Sequence, residues 1–167
     1  MIQHSFPTRR SSDLEPDVLC VSKAITGGYG GLGGVITTSK IGNAIKEDFG
    51  LYSTYGWHPR AVAVALANLR YLMRHRNKLL KNATELGQYF LTRLSQMSFK
   101  GKATVRGKGF AIGIEVEDED YASEVGDTCR ENGLLVSAED DVLMLFPALN
   151  ITRQTAQRGL DIFEKSL

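Results

Sequence analysis

Three things are scarce in this 167-residue chain: cysteine, net charge and long apolar stretches. The two cysteines, Cys20 and Cys129, sit far apart in apolar or helix-like surroundings without ligand spacing. This speaks against a disulfide framework or a thiolate metal site and fits reduced thiols in a cytosolic protein, so no metal is expected. The formal net charge is +1, and Arg9, Arg10 and Asp13 together supply it, leaving the rest of the chain neutral. Neutrality gives no support to a nucleic-acid-binding surface, which needs a clustered basic excess. The short basic run Arg74–Lys78 reads as a solvated turn of helix, or as a bend or break in one. Every apolar run falls well short of the roughly 20 residues of a membrane span. Neither nucleic acid nor membrane is an expected partner, and no internal repeat is visible.

The N-terminus stands apart from the rest. His4 to Leu14, "HSFPTRRSSDL", reads as a one-frame translation of a sequencing adapter, spliced onto an apolar strand. Residues 1–14 are therefore set aside as an artefact, and the natural beginning of the protein is expected upstream of Glu15. After Pro16, "DVLCVS" has the length and β-branched content of a buried strand. A glycine cluster and a second strand, "GVITTS", follow. "KIGNAIKEDF" carries helical spacing at Ile41, Ile45 and Phe49. Pro59 suits the first turn of a long helix, whose apolar stripe is expected at Leu66, Leu69 and Met73, then Leu80, Leu86, Phe90 and Leu94. Beyond it, "ATVRGKGFAIGIEVE" alternates at Phe110, Ile112, Ile114 and Val116 and is read as one strand. A helix closed by Gly133, two strands around "EDD" and a final helix capped by Thr152 complete a small α/β module. The expected organisation is the end of one domain over 15–57, a connecting helix over 58–99, and a compact C-terminal α/β domain over 100–167.

Two familiar patterns fail on context. Gly28, Gly30 and Gly33 spell G-x-G-x-x-G, but the dinucleotide fingerprint needs a helix to open there, and "VITT" is strand-like. The same glycines with Val35, the Asp48–Phe49–Gly50 triplet and "HRN" at His75–Asn77 with Asn82 imitate a protein kinase. The order is wrong, and Asn77 stands where the catalytic base should be. Lys23 is more informative. A lysine amine is a nucleophile when neutral, and its characteristic reaction is a Schiff base with a carbonyl, above all that of pyridoxal phosphate. A strand end would fix its position, and glycines beside it would let the backbone approach a flat ring. On spacing alone it is equally an ordinary strand-end lysine with its head in water.

The segment "EPDVLCVSKAITGGYGGLGGVITT" resembles the cofactor-lysine segment of the class III, or ω-amino acid, aminotransferases. "YSTYGWHPRAVAVALANL", "VRGKGFAIGIEVE" and "GLLVSAEDDVLMLFPALNIT" are similar to three later blocks of that family, in order and at plausible spacing, and together they cover nearly all of residues 15–167. The resemblance implies an α/β fold, the C-terminal part of a type I, aspartate-aminotransferase-like transferase. Residues 15–57 would end its large cofactor domain, and 100–167 would form its small domain. It implies pyridoxal 5'-phosphate as cofactor, held by Lys23 as a Schiff base, and transfer of an amino group from an amine or amino acid to a 2-oxo acid. Thr54 matches the threonine that binds the cofactor phosphate from the neighbouring subunit, with Ser53 assisting, which implies a homodimer with shared active sites; the cytoplasmic location is the one expected from the reduced cysteines. Met144 stands where many members carry a carboxylate-binding arginine; Arg106 is near in sequence but has no clear family role in that task. The family's ring-nitrogen aspartate and other phosphate ligands would lie upstream of Glu15, and Asp17 does not replace that aspartate. The fragment alone is therefore expected to be inactive. Trp57 and His58 would line a pocket or pack on a subunit surface. Alternatives that stay open are a sister reaction on the same scaffold (aminomutase, decarboxylase, racemase) or a non-catalytic degenerate domain.

Overall fold

A computed structural model of the chain describes residues 16–45, 53–54 and 56–167. The segment 1–14 and the Asp48–Phe49–Gly50 triplet lie outside the described residues. The chain forms two compact units that meet between Arg74 and His75.

In the first unit, β1 (Val18–Val21) pairs antiparallel with β2 (Gly34–Thr37), Val18 opposite Thr37 and Val21 opposite Gly34. Both strands stand where the sequence puts them, but β1 is not buried: Val18, Leu19, Val35 and Ile36 are exposed. Among the described residues β1 has only β2 as a ladder partner, and a two-stranded ladder covers neither of its faces. The helix expected from Ile41, Ile45 and Phe49 shrinks to a single turn, α1 (Ser39–Gly42), with Ile45 exposed and Phe49 outside the described residues. Gly42 and Asn43 interrupt the apolar pattern, and both are weak helix formers.

Helix α2 (Pro59–Leu94) runs unbroken for 36 residues, straight through the basic run Arg74–Lys78. Pro59 takes the first helical position, where its missing N–H costs nothing, and the carbonyl of His58 accepts the first helical bond from Val62 at 3.1 Å. The expected phase of its first half is corrected. Leu66, Leu69 and Met73 face solvent, while Ala61 and Ala65 are buried. Side-chain size misled the sequence reading, because the neighbour of this half is a glycine loop that needs small partners. In the second unit Leu79, Leu86, Phe90 and Leu94 point inward and Leu80 does not.

The second unit contains β3 (Thr104–Lys108), β4 (Ala111–Glu115), α3 (Glu119–Glu131), β5 (Ser137–Glu139), β6 (Val142–Leu145) and α4 (Arg153–Lys165). The strands make one antiparallel sheet in the order β3-β4-β6-β5. "ATVRGKGFAIGIEVE" is thus a hairpin and not one strand. Lys108 opposes Ala111 across a two-residue turn whose first residue, Gly109, has φ +59°, the position where such turns favour glycine. The alternation itself holds. Ile112 and Ile114 on β4 and Leu143 and Leu145 on β6 form the buried face, against Phe90 and Leu94 of α2, Val125 and Cys129 of α3, and Leu160 and Phe163 of α4. On the outward face Arg106 lies over Gly113, its Cγ and Nε 3.9 Å from where a β-carbon would sit, and donates to Glu115.

The helix ends follow the sequence closely. The Asp118 carboxylate accepts from the N–H of Asp120 at 2.9 Å and caps α3. Beyond α3, Gly133 (φ +84°) donates to the carbonyl of Arg130 and Leu134 to that of Cys129, the paired bonds of a Schellman motif. Thr152 caps α4 by accepting from the N–H of Thr155 at 3.2 Å. Helix α2 is tied to this unit at three levels. Asn82 Nδ2 donates to the carbonyls of Leu149 and Ile151 at 2.9 and 3.1 Å. Arg93 reaches Asp161 and Glu164 on α4 at 3.2 and 2.9 Å. Gly87 meets the tip of the β3–β4 hairpin, where an added β-carbon would lie 2.4 Å from the Gly109 carbonyl oxygen. Among the described residues no helix is long and apolar enough to cross a membrane.

Two outcomes follow from this packing. Alanine normally gains about 1 kcal/mol over glycine inside a helix, but Gly87→Ala is expected to cost about 1–3 kcal/mol, the range for overpacking a core. A lowered urea midpoint would show it, and an unchanged or raised midpoint would mean the hairpin can move aside. Burial pushes the Cys129 thiol above its ordinary pKa, and the polar Ser166 side chain only partly opposes this. Because the thiolate is the reactive form, Cys129 should resist iodoacetamide in the native state and react only on unfolding; alkylation at the rate of a free thiol would contradict its placement.

Candidate active site

The candidate site is built on the twelve residues between β1 and β2. Ser22 continues the extended chain, and Lys23 then turns sharply, opening a 3-10 turn over Lys23–Thr26 with φ +52°. A side chain in the left-handed region costs about 1–2 kcal/mol, and such residues persist only where their surroundings hold them. Gly27 at φ +60° and Gly28 at φ +87° close the turn, in a conformation glycine adopts without penalty.

Three side chains supply the hold. Thr26 is fully buried, and its hydroxyl lies 2.5 Å from the carbonyl oxygen of Gly30 and 3.2 Å from that of Lys23. Asn68, from α2, donates through Nδ2 to the carbonyls of Ala24 at 3.0 Å and Ile25 at 3.1 Å. Its Oδ1 lies 3.4 Å from where a β-carbon on Gly27 would sit. Ala61 packs under Gly30, its β-carbon 3.7 Å from the corresponding point. Ala61, Ala65 and Asn68 fall at i, i+4 and i+7, one face of the helix. At about 0.5–1.5 kcal/mol for each hydrogen bond, the two bonds from Asn68 are comparable to the strain at Lys23. Asn68 and Thr26 escaped the sequence reading. An asparagine in phase with two alanines on a glycine-facing stripe was the available signal.

Lys23 itself is exposed, and among the described residues its amine makes no hydrogen bond or ion pair. Ser53 and Thr54 are exposed, and the Gly56 N–H donates to the Ser53 carbonyl at 2.9 Å; among the described residues neither hydroxyl has a side-chain hydrogen bond and neither bonds to Lys23. Trp57 is 88% exposed at φ +56°, and His58 contributes its carbonyl to the start of α2. The glycine loop leads into β2, so no helix N-terminus follows Gly33 and the dinucleotide reading has no structural support. Met144 lies on β6, opposite Gly113 and Ser137 on the outward face of the sheet, away from Leu143 and Leu145. The donor set suits pyridoxal phosphate. It offers an exposed amine on a fixed backbone and open space beside Gly28 and Gly31 where a side chain would project.

Known proteins identify the family and the fold. The aminotransferase class-III family matches residues 5–167. An acetylornithine aminotransferase of Methanosarcina acetivorans is 36% identical over 155 residues, which cover 92% of this chain and 37% of that protein. An acetylornithine aminotransferase structure from Elizabethkingia anophelis superposes with a TM-score of 0.80 at 31% identity, covering 94% of this chain and 42% of the other. A thermostable (S)-enantioselective ω-transaminase from Thermomicrobium roseum gives 0.82 at 29% identity, covering 94% and 38%. The chain thus spans about two-fifths of the length of the proteins it matches, and its fold is that of the corresponding part of the pyridoxal-phosphate-dependent aminotransferases. By sequence and by fold, this chain belongs to the class III aminotransferases.

Proposed function

We propose that the whole protein is a pyridoxal-phosphate-dependent transaminase that moves an amino group from an amine or amino acid to a 2-oxo acid, with Lys23 as the residue that carries the cofactor. The observation that bears most weight is the left-handed backbone at an exposed lysine within a glycine turn. Strain of this kind is retained where a side chain must be aimed. When bound, pyridoxal phosphate supplies a carbonyl that condenses with amines and a ring that accepts the electron pair released at the substrate α-carbon. Lys23 Nζ would hold the cofactor and, as a free amine, would carry the proton at the substrate α-carbon. The loop glycines leave a flat ring room to approach the backbone.

Thr54, with Ser53, offers hydroxyl donors to the cofactor phosphate. Their exposure supports a role across a homodimer interface, each subunit completing the other's site. Met144 supplies no guanidinium for a bidentate carboxylate pair, which favours an amine-type donor, or one held by other groups. The matched proteins are more than twice as long as this chain, which supports the reading that the 167 residues alone do not turn over substrate.

The test is chemical. In the full-length protein supplied with pyridoxal phosphate, borohydride reduction and peptide mapping should place the pyridoxyl group on Lys23 alone. Lys23→Ala should lose that label and nearly all transaminase activity. A label scattered over surface lysines, or none, would overturn the reading.

A further inference from the structure

We propose that Asn68 is a positioning residue for Lys23: its carboxamide, together with the Thr26 hydroxyl, locks the left-handed turn that aims the lysine amine. The inference rests on the reading of Lys23 as the cofactor-bearing residue and adds to it a device on another element of the first unit. Asn68 bonds to the backbone of the turn, and it is through the backbone that it acts. The two carbonyls it binds, those of Ala24 and Ile25, immediately follow Lys23. The Ala24 carbonyl also receives the N–H of Gly27. Asn68 therefore grips the turn at the point where it closes. Thr26 grips the same turn from inside, between the carbonyls of Lys23 and Gly30. With both in place, the peptide groups on the C-terminal side of Lys23 are held by α2 and by the loop itself. Without Asn68, the carbonyl of Ile25 loses its side-chain donor, and Lys23 can relax towards the ordinary right-handed or extended regions. Rotation of φ at Lys23 swings the whole side chain, so a small backbone change becomes a large displacement at Nζ.

A role of this kind differs from general support of the fold, and the measurements separate the two. The full-length protein is loaded with pyridoxal phosphate, and Lys23 labelling of the wild type by borohydride is established first. Asn68→Leu keeps the size of the side chain and removes the donor; Asn68→Ser keeps a donor that can serve one carbonyl. At equal melting temperature, Asn68→Leu should weaken the visible circular-dichroism band of the bound cofactor and slow labelling of Lys23. It should also lower kcat about tenfold with the donor KM little changed, the loss that about 1.4 kcal/mol of misplacement gives. Asn68→Ser should fall between that variant and the wild type. If Asn68→Leu does not fold, Thr26→Val, nearly isosteric and without a hydroxyl, is expected to show the same dichroism and labelling defects. A wild type labelled at Lys23, with either folded variant matching its dichroism, labelling rate and kcat, overturns the positioning role and leaves the function of Lys23 intact. A wild type not labelled at Lys23 overturns the reading on which the inference stands.

Discussion

The described loop of the first unit depends on the strained backbone at Lys23. Lys23 holds a backbone conformation that its own side chain disfavours, and little in the local sequence would keep it there. A four-residue 3-10 turn has poor hydrogen-bond geometry and no length over which cooperativity could build. The restraint comes from elsewhere: a buried threonine inside the loop, glycines that accept the following left-handed steps, and an asparagine on α2. Rigid elements hold reactive groups better than loops do. Here the loop is tied to a helix at the turn where the lysine sits.

The same constraint explains the composition of α2. A glycine loop presents backbone, and backbone must be met by small side chains or by hydrogen-bond donors. Ala61 and Asn68 answer these two needs on one helical face. In the second unit the helix repeats the solution with other residues. Gly87 admits the hairpin tip and Asn82 captures two loop carbonyls. Large apolar residues take over where the neighbour is a sheet face, at Leu86, Phe90 and Leu94. One helix thus has two packing styles because its neighbours change along its length.

That change marks the limit of what the sequence discloses. The strands, the caps at Thr152 and Gly133, and the buried alternation at Ile112 and Ile114 are local chemistry and were legible. Lys23 was legible as a type of residue in a type of setting. The phase of α2 was misread because Leu66, Leu69 and Met73 are larger than Ala61 and Ala65, and periodicity weighs size, whereas the glycine loop selects against it. The hairpin at Gly109 was missed because the alternating pattern of β4 was carried back over it, although its glycines signal a turn. Asn68 lies more than forty residues from the turn it holds, and no local pattern reports a contact across that distance. The positive φ at Lys23 is equally invisible in sequence, since lysine carries no signal for that conformation.

The second unit separates its core from its outward sheet face in a similar way. On β6, Leu143 and Leu145 are committed to the core, and Met144 between them faces outward. A strand alternates strictly, so the outward position can change from cation to thioether without disturbing the packing on the other side. Its neighbour across β4 is Gly113, over which Arg106 lies while pairing with Glu115. An arginine paired with a carboxylate of its own sheet is partly neutralised, and a second carboxylate would have to compete with Glu115 for it. The identity of residue 144 is therefore free of the core packing that Leu143 and Leu145 supply on the other face of the strand.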